Sequence, residues 1–507
     1  MTEDRTPNEE QPAVGLVTFT DDRVNIFSRE HELGLEQKHK ELRTFLEGEG
    51  FRVVDAMERL RGSASVDWFG VHNPAEVRAV ADYVREGHAE CLIIVSHFWT
   101  PPGFAIELVK RLDLPVCIYA ERMLSSIICI GAGLQQVVPN RHALTHERLV
   151  GKERWRLPHW VRGVTAVEKL KYDSAMLFGS TYCLKMEHLE DDHTKLKRLL
   201  IGDLLIEEQS IFIARGQRIL REEPERIARF KRWLIENGTR ICYDGQRVTD
   251  HVLDVHIADV LGMRQRLAEL SEHRIRGISV RCQPELAEER GITACSIPAF
   301  LPFGEDAEGP QQPIVTICEG DVRGLVTLML LHRIVPSVPP TFGDLMDASE
   351  RLIRISNCGG GGLYWAANSM RAKDCLPHVT LAGTWNASGG AAFGYYAPPG
   401  PVTVARLTRV KDSYFMHLAR GEQLSIEGEV EKEMLATYGA SWPQHAVSLG
   451  VNPHYLVRAM GANHPCLTLG DHTLELAYAC REVGLPIVRI DSDDELRRYC
   501  DDVIPAL

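Results

Sequence analysis

Glu319, Asp321 and Arg323 stand in "TICEGDVRGLVTLMLLH" directly before a continuous apolar run, and a further acid, Asp344, lies among hydrophobic residues and a glycine in "FGDLMD". Carboxylates carried towards an apolar interior need a physical reason. One is helix capping: Asp321 is placed to accept the free N–H groups of a helix that begins at Val322. The other is a cation. Joined to His464 of "MGANHPCLTLGDH", Glu319 and Asp344 would make a set of two carboxylates and one imidazole. Such an oxygen-rich set suits Mn2+ or Mg2+ better than Zn2+. Spacing alone gives the trio little weight in a chain with 70 acids and 20 histidines. "HLEDDH" (188–193) and "HALTHE" (142–147) have ligand-like composition too, and both read as solvated helix faces.

The elements that must position these groups read as α/β. "VGLVTFT", "FRVVDA", "CLIIVSHFW" and "LPVCIYA" are strand-like runs, and amphipathic helices such as "PAEVRAVADYVREG" and "GFAIELVKRLD" alternate with them. That is the pattern of a parallel sheet covered by helices. It marks a first α/β domain over 1–165, with 1–12 as a disordered tail. A second α/β domain, 166–340, starts at "SAMLFGS", passes through charged helices such as "EEPERIARFKRWLIENG", and reaches "IRGISVRCQ" and "PIVTICEGD". From 341 to 507 the texture changes. Glycine- and proline-rich "SNCGGGG" and "NASGGAAFGYYAPPGP" separate alternating segments, "VTVARLTRV", "YFMHLARG" and "QLSIEGEV", which read as antiparallel strands. Ligands of open α/β sheets gather at the carboxyl ends of strands. Arg23, His97, Trp99, Gln283 and Glu319 all fall at such ends.

Composition bounds the partners. A chain of 507 residues holds two or three domains, and 44% hydrophobic residues supply sizeable cores. A net charge of −13 argues against nucleic acid or an anionic membrane as partner. The N-terminus "MTEDRTPNEEQP" has no apolar signal core, and stretches such as "SSIICIGAGL" fall short of the ~20 residues a membrane helix needs. The 13 cysteines are scattered without a CxxC pair, which suits free thiols, with Cys117, Cys129 and Cys318 as small core residues. The expectation is a soluble cytoplasmic protein.

The stretch from "TICEGD" to "FGDLMD" resembles the metal-site segment of the L-fucose isomerase family, which is related more distantly to L-arabinose isomerases. That family carries an acid after a strand, then an apolar helix, then an acid in an F-[AG]-D motif, here 25 residues on from Glu319 to Asp344. "FGSTYCLKM" (178–186) resembles the family's glycine- and serine-bearing loop, and "GANHPCLTLGD" resembles the segment holding its metal histidine. The resemblance touches all three domains in order and covers most of the chain. It implies two consecutive Rossmann/flavodoxin-like α/β domains followed by a C-terminal domain with an antiparallel β-barrel. The implied assembly is a homo-oligomer, hexameric or trimer-based, and the implied activity is aldose–ketose isomerisation with Mn2+, for which Mg2+ or Co2+ can stand in. Carried onto this sequence, Glu319 and Asp344 would bind the metal and exchange protons, with His464 as third ligand. Gln283 and Asn463 would contact the sugar, and Trp385 or Trp442 would form an aromatic wall. Arg23, His97 and Trp99 of the first domain would reach a neighbouring subunit's site. The C-terminal domain is shorter than is usual in fucose isomerases and several loops differ, which leaves the substrate open among hexose, deoxyhexose, pentose and sulfonated hexose. Arg23, His97 or Lys185 could serve an anionic group at the far end of such a sugar.

The chemistry asks for this set of groups. Moving a carbonyl from C1 to C2 requires loss of the C2 proton, an acid too weak for an unaided carboxylate. A divalent ion holding O1 and O2 stabilises the enediolate, and two flanking carboxylates then serve as base and acid in a cis-enediol path. Rival readings differ in testable ways. A glycoside hydrolase also pairs two carboxylates but needs no metal. A non-catalytic sugar-binding protein of two α/β lobes is usually exported and lacks a glycine-rich third part. A dinucleotide enzyme has only the GxG of "IGAGLQQ" (130–136) to recommend it.

Overall fold

The computed structural model describes residues 11–26, 28–61, 68–138, 140–181, 183–184, 186–384, 389–435 and 442–506. Lys185, Trp385 and most of the tail expected over 1–12 lie outside the described residues. The chain divides into two compact units, one of residues 1–168 with 474–484, the other of residues 169–473 with 485–507.

The first unit is built on a parallel sheet of β1 (Ala13–Thr18), β2 (Arg52–Asp55), β3 (Cys91–Val95), β4 (Val116–Ala120) and β5 (Glu147–Val150), in the order β2-β1-β3-β4-β5. Helices cover both faces, so the central strands are buried on both sides and read as unbroken apolar runs. Every residue of β1, β3 and β4 is buried. Val17, Ile94 and Ile118 face one core layer while Leu16, Ile93 and Cys117 face the other or its edge. "IGAGLQQ" lies inside the helix Leu124–Val137, so its glycines form no phosphate-binding turn.

The second unit holds a parallel sheet of β6 (Ser174–Phe178), β7 (Asp203–Glu207), β8 (Ile275–Val280) and β9 (Val315–Cys318), in the order β9-β8-β6-β7. β9 feeds the helix Val322–Ile334, whose residues are almost all buried. The same unit holds a large mixed sheet. Its strands include β10 (Thr341–Phe342), β11 (Asp344–Ala348), β12 (Ile353–Ser356), β13 (Gly400–Val410), β14 (Ser413–Gln423), β15 (Pro443–Ser448) and β16 (Cys466–Leu469). Most neighbours are antiparallel, but Thr380–Gly383 pairs parallel with Arg240–Ile241, Ala391–Tyr396 with β15, and Ile487–Arg489 with β14. Among the described residues the ladders do not close into a ring. A large mixed sheet thus stands where an antiparallel β-barrel was expected, with the Leu345 N–H donating to the Asn463 carbonyl between β11 and the stretch before β16. Among the described residues no helix is long and apolar enough to cross a membrane.

Candidate functional site

β9 ends at Cys318 and the chain turns sharply. Glu319 has φ +62° and Gly320 φ +68°, two consecutive left-handed residues. A side chain at 320 would run into the Ser180 carbonyl oxygen, so glycine is needed there. Glu319 has a Cβ, and its conformation costs about 1–2 kcal/mol. Strain of this kind concentrates where a side chain must be aimed at a site. The turn delivers Asp321 to the start of the helix Val322–Ile334, where Oδ1 accepts from the Gly324 N–H at 2.8 Å.

Capping is only part of what Asp321 does. Its carboxylate takes both guanidinium nitrogens of Arg406 from β13, at 2.5 Å and 3.0 Å, and both side chains are fully buried. Gly324 makes room for them, since a Cβ there would meet Arg406 and Asp321. Asp321 Oδ2 also accepts from His464 Nδ1 at 2.8 Å. That bond fixes the imidazole and turns Nε2 towards two acids: Glu319 Oε2 at 3.0 Å and Asp344 Oδ1 at 3.5 Å. A carboxylate holding the far nitrogen of a histidine is the usual support of a metal-ligating imidazole. Asp344 opens β11, and its Oδ1 accepts from Asn463 Nδ2 at 2.6 Å. Asn463 is in turn tied to His188 Nε2 at 2.9 Å.

His464 Nε2 and Glu319 Oε2 are buried, and neither finds a hydrogen-bond partner of acceptable geometry despite their 3.0 Å separation. Two polar atoms in contact but not aimed at each other have the arrangement expected around a shared third partner. An orphaned nitrogen and oxygen with a second carboxylate beside them fit an oxygen-rich divalent-ion site. Burial pushes the His464 imidazole down, but the Glu319 charge and the contacts to Asp321 and Asp344 carry it well above its ordinary range. Burial raises Asp344, yet His464 and then Asn463 hold it below the usual carboxylate range. Burial likewise opposes ionisation of Asp321, and the Arg406 charge overcomes it with help from His464. Without an ion, the acids thus favour the charged form of the His464 imidazole.

The structure brings Glu319, Asp344, His464 and Asn463 together. Gln283 is buried near them, in a cavity that Cys318 also lines. Trp442 is buried, 6% exposed. Arg23, His97 and Trp99 belong to the first unit. Arg23 pairs with Asp21 at its surface, and Trp99 is partly buried. His97 is buried with Nδ1 accepting from the Glu121 N–H, and burial lowers its pKa to about 4. Of the two histidine-acid clusters read as solvated faces, "HALTHE" is corrected, while "HLEDDH" is exposed at His188, Glu190 and Asp192 and departs from that reading at Asp191. The Asp191 side chain is buried between Arg323 at 3.1 Å and Arg409 at 2.9 Å, and His188 supports Asn463. In "HALTHE", His142, His146 and Glu147 are buried, with His142 bonded to Glu482 at 2.5 Å. Sequence reading missed Arg406 and Asp191. For Arg406 the available signal was a charge inside the otherwise strand-like "VTVARLTRV".

Comparison with known proteins converges on the same stretch. Residues 355–491 match the family model of the L-fucose isomerase C-terminal domain, which includes Asn463 and His464. The chain thus carries an L-fucose isomerase C-terminal domain and is distantly homologous to sulfoquinovose isomerases. The sulfoquinovose isomerase of Alkalicoccus urumqiensis is 25% identical over 231 residues, 44% of this chain and 46% of that protein. Those of Priestia aryabhattai and Priestia megaterium are 24% identical over 192 residues, 37% of this chain and 40% of each relative. The matched region is less than half the length of these curated relatives.

Proposed function

We propose that this protein is a metal-dependent aldose–ketose isomerase in which Glu319, Asp344 and His464 hold a divalent ion, Mn2+ by the oxygen-rich character of the set, with Mg2+ or Co2+ as substitutes. The observation that carries the reading is the approach of Glu319 Oε2 and Asp344 Oδ1 to an unpartnered His464 Nε2. When bound, the ion would polarise the sugar carbonyl and stabilise enediolate charge. Glu319 and Asp344 would take the C2 proton and return it at C1 in turn. Asp321 would keep His464 Nδ1 protonated and its Nε2 free to ligate. Asn463 would fix Asp344, while Gln283 would orient the sugar. Trp442 and Trp385 are the alternatives for an aromatic wall. The assembly this reading carries is a homo-oligomer in which Arg23, His97 and Trp99 come from a neighbouring copy. The name of the relatives makes a sulfonated aldohexose the first substrate to try, ahead of neutral hexoses, deoxyhexoses and pentoses.

Incubating the Mn2+-loaded protein with that panel in D2O tests the proposal. One aldose should yield ketose NMR signals carrying deuterium, and a chelator should stop the conversion. Absence of conversion across the panel, or conversion indifferent to the chelator, rejects the reading. The chelator result also separates it from a metal-free glycosidase.

Because the surrounding acids favour a proton on His464 in the metal-free protein, the ion must compete with it. Mn2+ affinity is therefore expected to rise by about one log unit per pH unit below the raised His464 value. The stability linkage has the same sign. A folded-state pKa raised above the unfolded imidazole value of about 6.5 contributes stability that is complete below that pH and disappears as pH climbs through the folded value. The gain in melting temperature on adding Mn2+ should therefore grow from pH 6 upward. Calorimetric titration and thermal melts at a series of pH values check both, and a flat response would remove His464 from the ligand set.

A further inference from the structure

Beside Glu319 lies a group of thiols that isomerisation does not use. Cys282 Sγ, Cys318 Sγ and a Glu319 carboxylate oxygen all stand within 4.8 Å of one another, and the three residues are buried. Cys282 contacts Cys183 as well as Cys318, and Cys295 contacts Cys358. Five of the 13 cysteines, from five separate stretches of sequence, thus collect in one place. Cys282, Cys295, Cys318 and Cys358 line a cavity of about 20 Å³. That is room for about one water molecule, and so for an ion.

We propose that Cys282, Cys318 and Glu319 form a second metal site, selective for a thiophilic divalent ion of the Zn2+ or Cd2+ class, which competes with the hard ion for Glu319 and so inhibits the enzyme. Ligands of one tetrahedral Zn2+, at about 2.3 Å for sulfur and about 2.0 Å for oxygen, lie roughly 3.5–3.8 Å apart. A group already within 4.8 Å needs only small side-chain movements to reach that geometry. The chemistry separates the two sites: thiolates favour soft ions, while carboxylates with one imidazole favour Mn2+ or Mg2+. Binding breaks two S–H bonds, forms two metal–sulfur bonds and releases two protons to solvent. Glu319 adds its carboxylate, and water completes the shell. The site supplies its own selectivity, because a hard ion gains little from sulfur.

The competition rests on the proposal that Glu319 holds the hard metal, whereas thiolate binding does not. The test titrates the metal-free protein with Cd2+. Expected are a near-ultraviolet thiolate-to-metal charge-transfer band that saturates at one equivalent, two sulfur neighbours by X-ray absorption, and an apparent Mn2+ dissociation constant raised about tenfold or more. The band should vanish in Cys282→Ala/Cys318→Ala and persist in Cys480→Ala, a buried thiol of the other unit. X-ray absorption of the unmutated protein keeps the test independent of whether the double variant folds. No band at saturating Cd2+, or a shell without sulfur, overturns the site. Sulfur coordination with unchanged Mn2+ affinity overturns the competition. A protein that converts no sugar yet shows the band loses the isomerase reading and keeps the thiolate site.

Discussion

Glu319→Gln will abolish exchange of the sugar's C2 proton with solvent deuterium, and Asp344→Asn will do the same. Each change keeps the size of the side chain and removes a charge that serves twice, as metal ligand and as proton carrier. Loss of a positioned acid or base alone costs about 10²–10⁴-fold. Loss of a ligand charge adds to it by weakening the ion's hold on the developing enediolate. The two variants should differ in how they treat the metal-free protein. Glu319 is buried and faces an orphaned imidazole nitrogen, so its amide leaves His464 with one fewer counter-charge. Asp344 is more open, with 22% of its side chain exposed, and keeps its Asn463 contact as an amide. Mn2+ affinity should therefore fall further in Glu319→Gln. The exposed Glu225, at the start of the helix Pro224–Glu236, supplies the control: Glu225→Gln should turn over as the parent does. Turnover within about tenfold of the parent in either site variant, with the fold intact by circular dichroism, contradicts the assignment.

How much of this could be read beforehand follows from the range of the interactions involved. Most strands of the two parallel sheets were legible because burial on both faces forces continuous apolar runs, as in "CLIIV" and "VTIC", whereas the half-buried Glu147–Val150 and Asp203–Glu207 gave no such run and were missed. Meeting of Glu319, Asp344 and His464 was within reach only through family resemblance, since nothing local in "GANHPC" points towards "CEGD". Asp321 shows why local reasoning stops early. Capping accounts for it fully in sequence terms, and that sufficient explanation hides the bonds to Arg406 and His464. Asp191 was obscured in the opposite way: a run of acids looks solvated until Arg323 and Arg409 arrive from elsewhere in the chain. The parallel pairings of the mixed sheet join strands as distant as Arg240–Ile241 and Thr380–Gly383, which no alternation pattern encodes.

Arg406→Met is expected to cost the second unit about 3–5 kcal/mol, the price of leaving a buried carboxylate without its partner. The methionine fills much of the arginine's volume, so the loss reports charge rather than a cavity. Asp321 would keep the Gly324 N–H and His464 Nδ1, neither of which replaces a bidentate guanidinium. Nearby Arg323 cannot take over, because it is committed to Asp191 and the His188 carbonyl. The pair should therefore show strong coupling: Arg406→Met/Asp321→Asn removes both charges and should lose less than the sum of the single changes. A pH signature separates this from general damage. Asp321 is held below the usual carboxylate range, so its contribution is complete above the unfolded value of about 4 and is lost as pH falls through the folded one. Arg406→Met should flatten that acid limb, whereas a variant that merely loosens packing should lower the curve without changing its slope. Chemical denaturation between pH 3 and pH 7 measures both quantities. A single-variant loss below about 1 kcal/mol with an unchanged acid limb would mean that Asp321 is balanced by something other than Arg406.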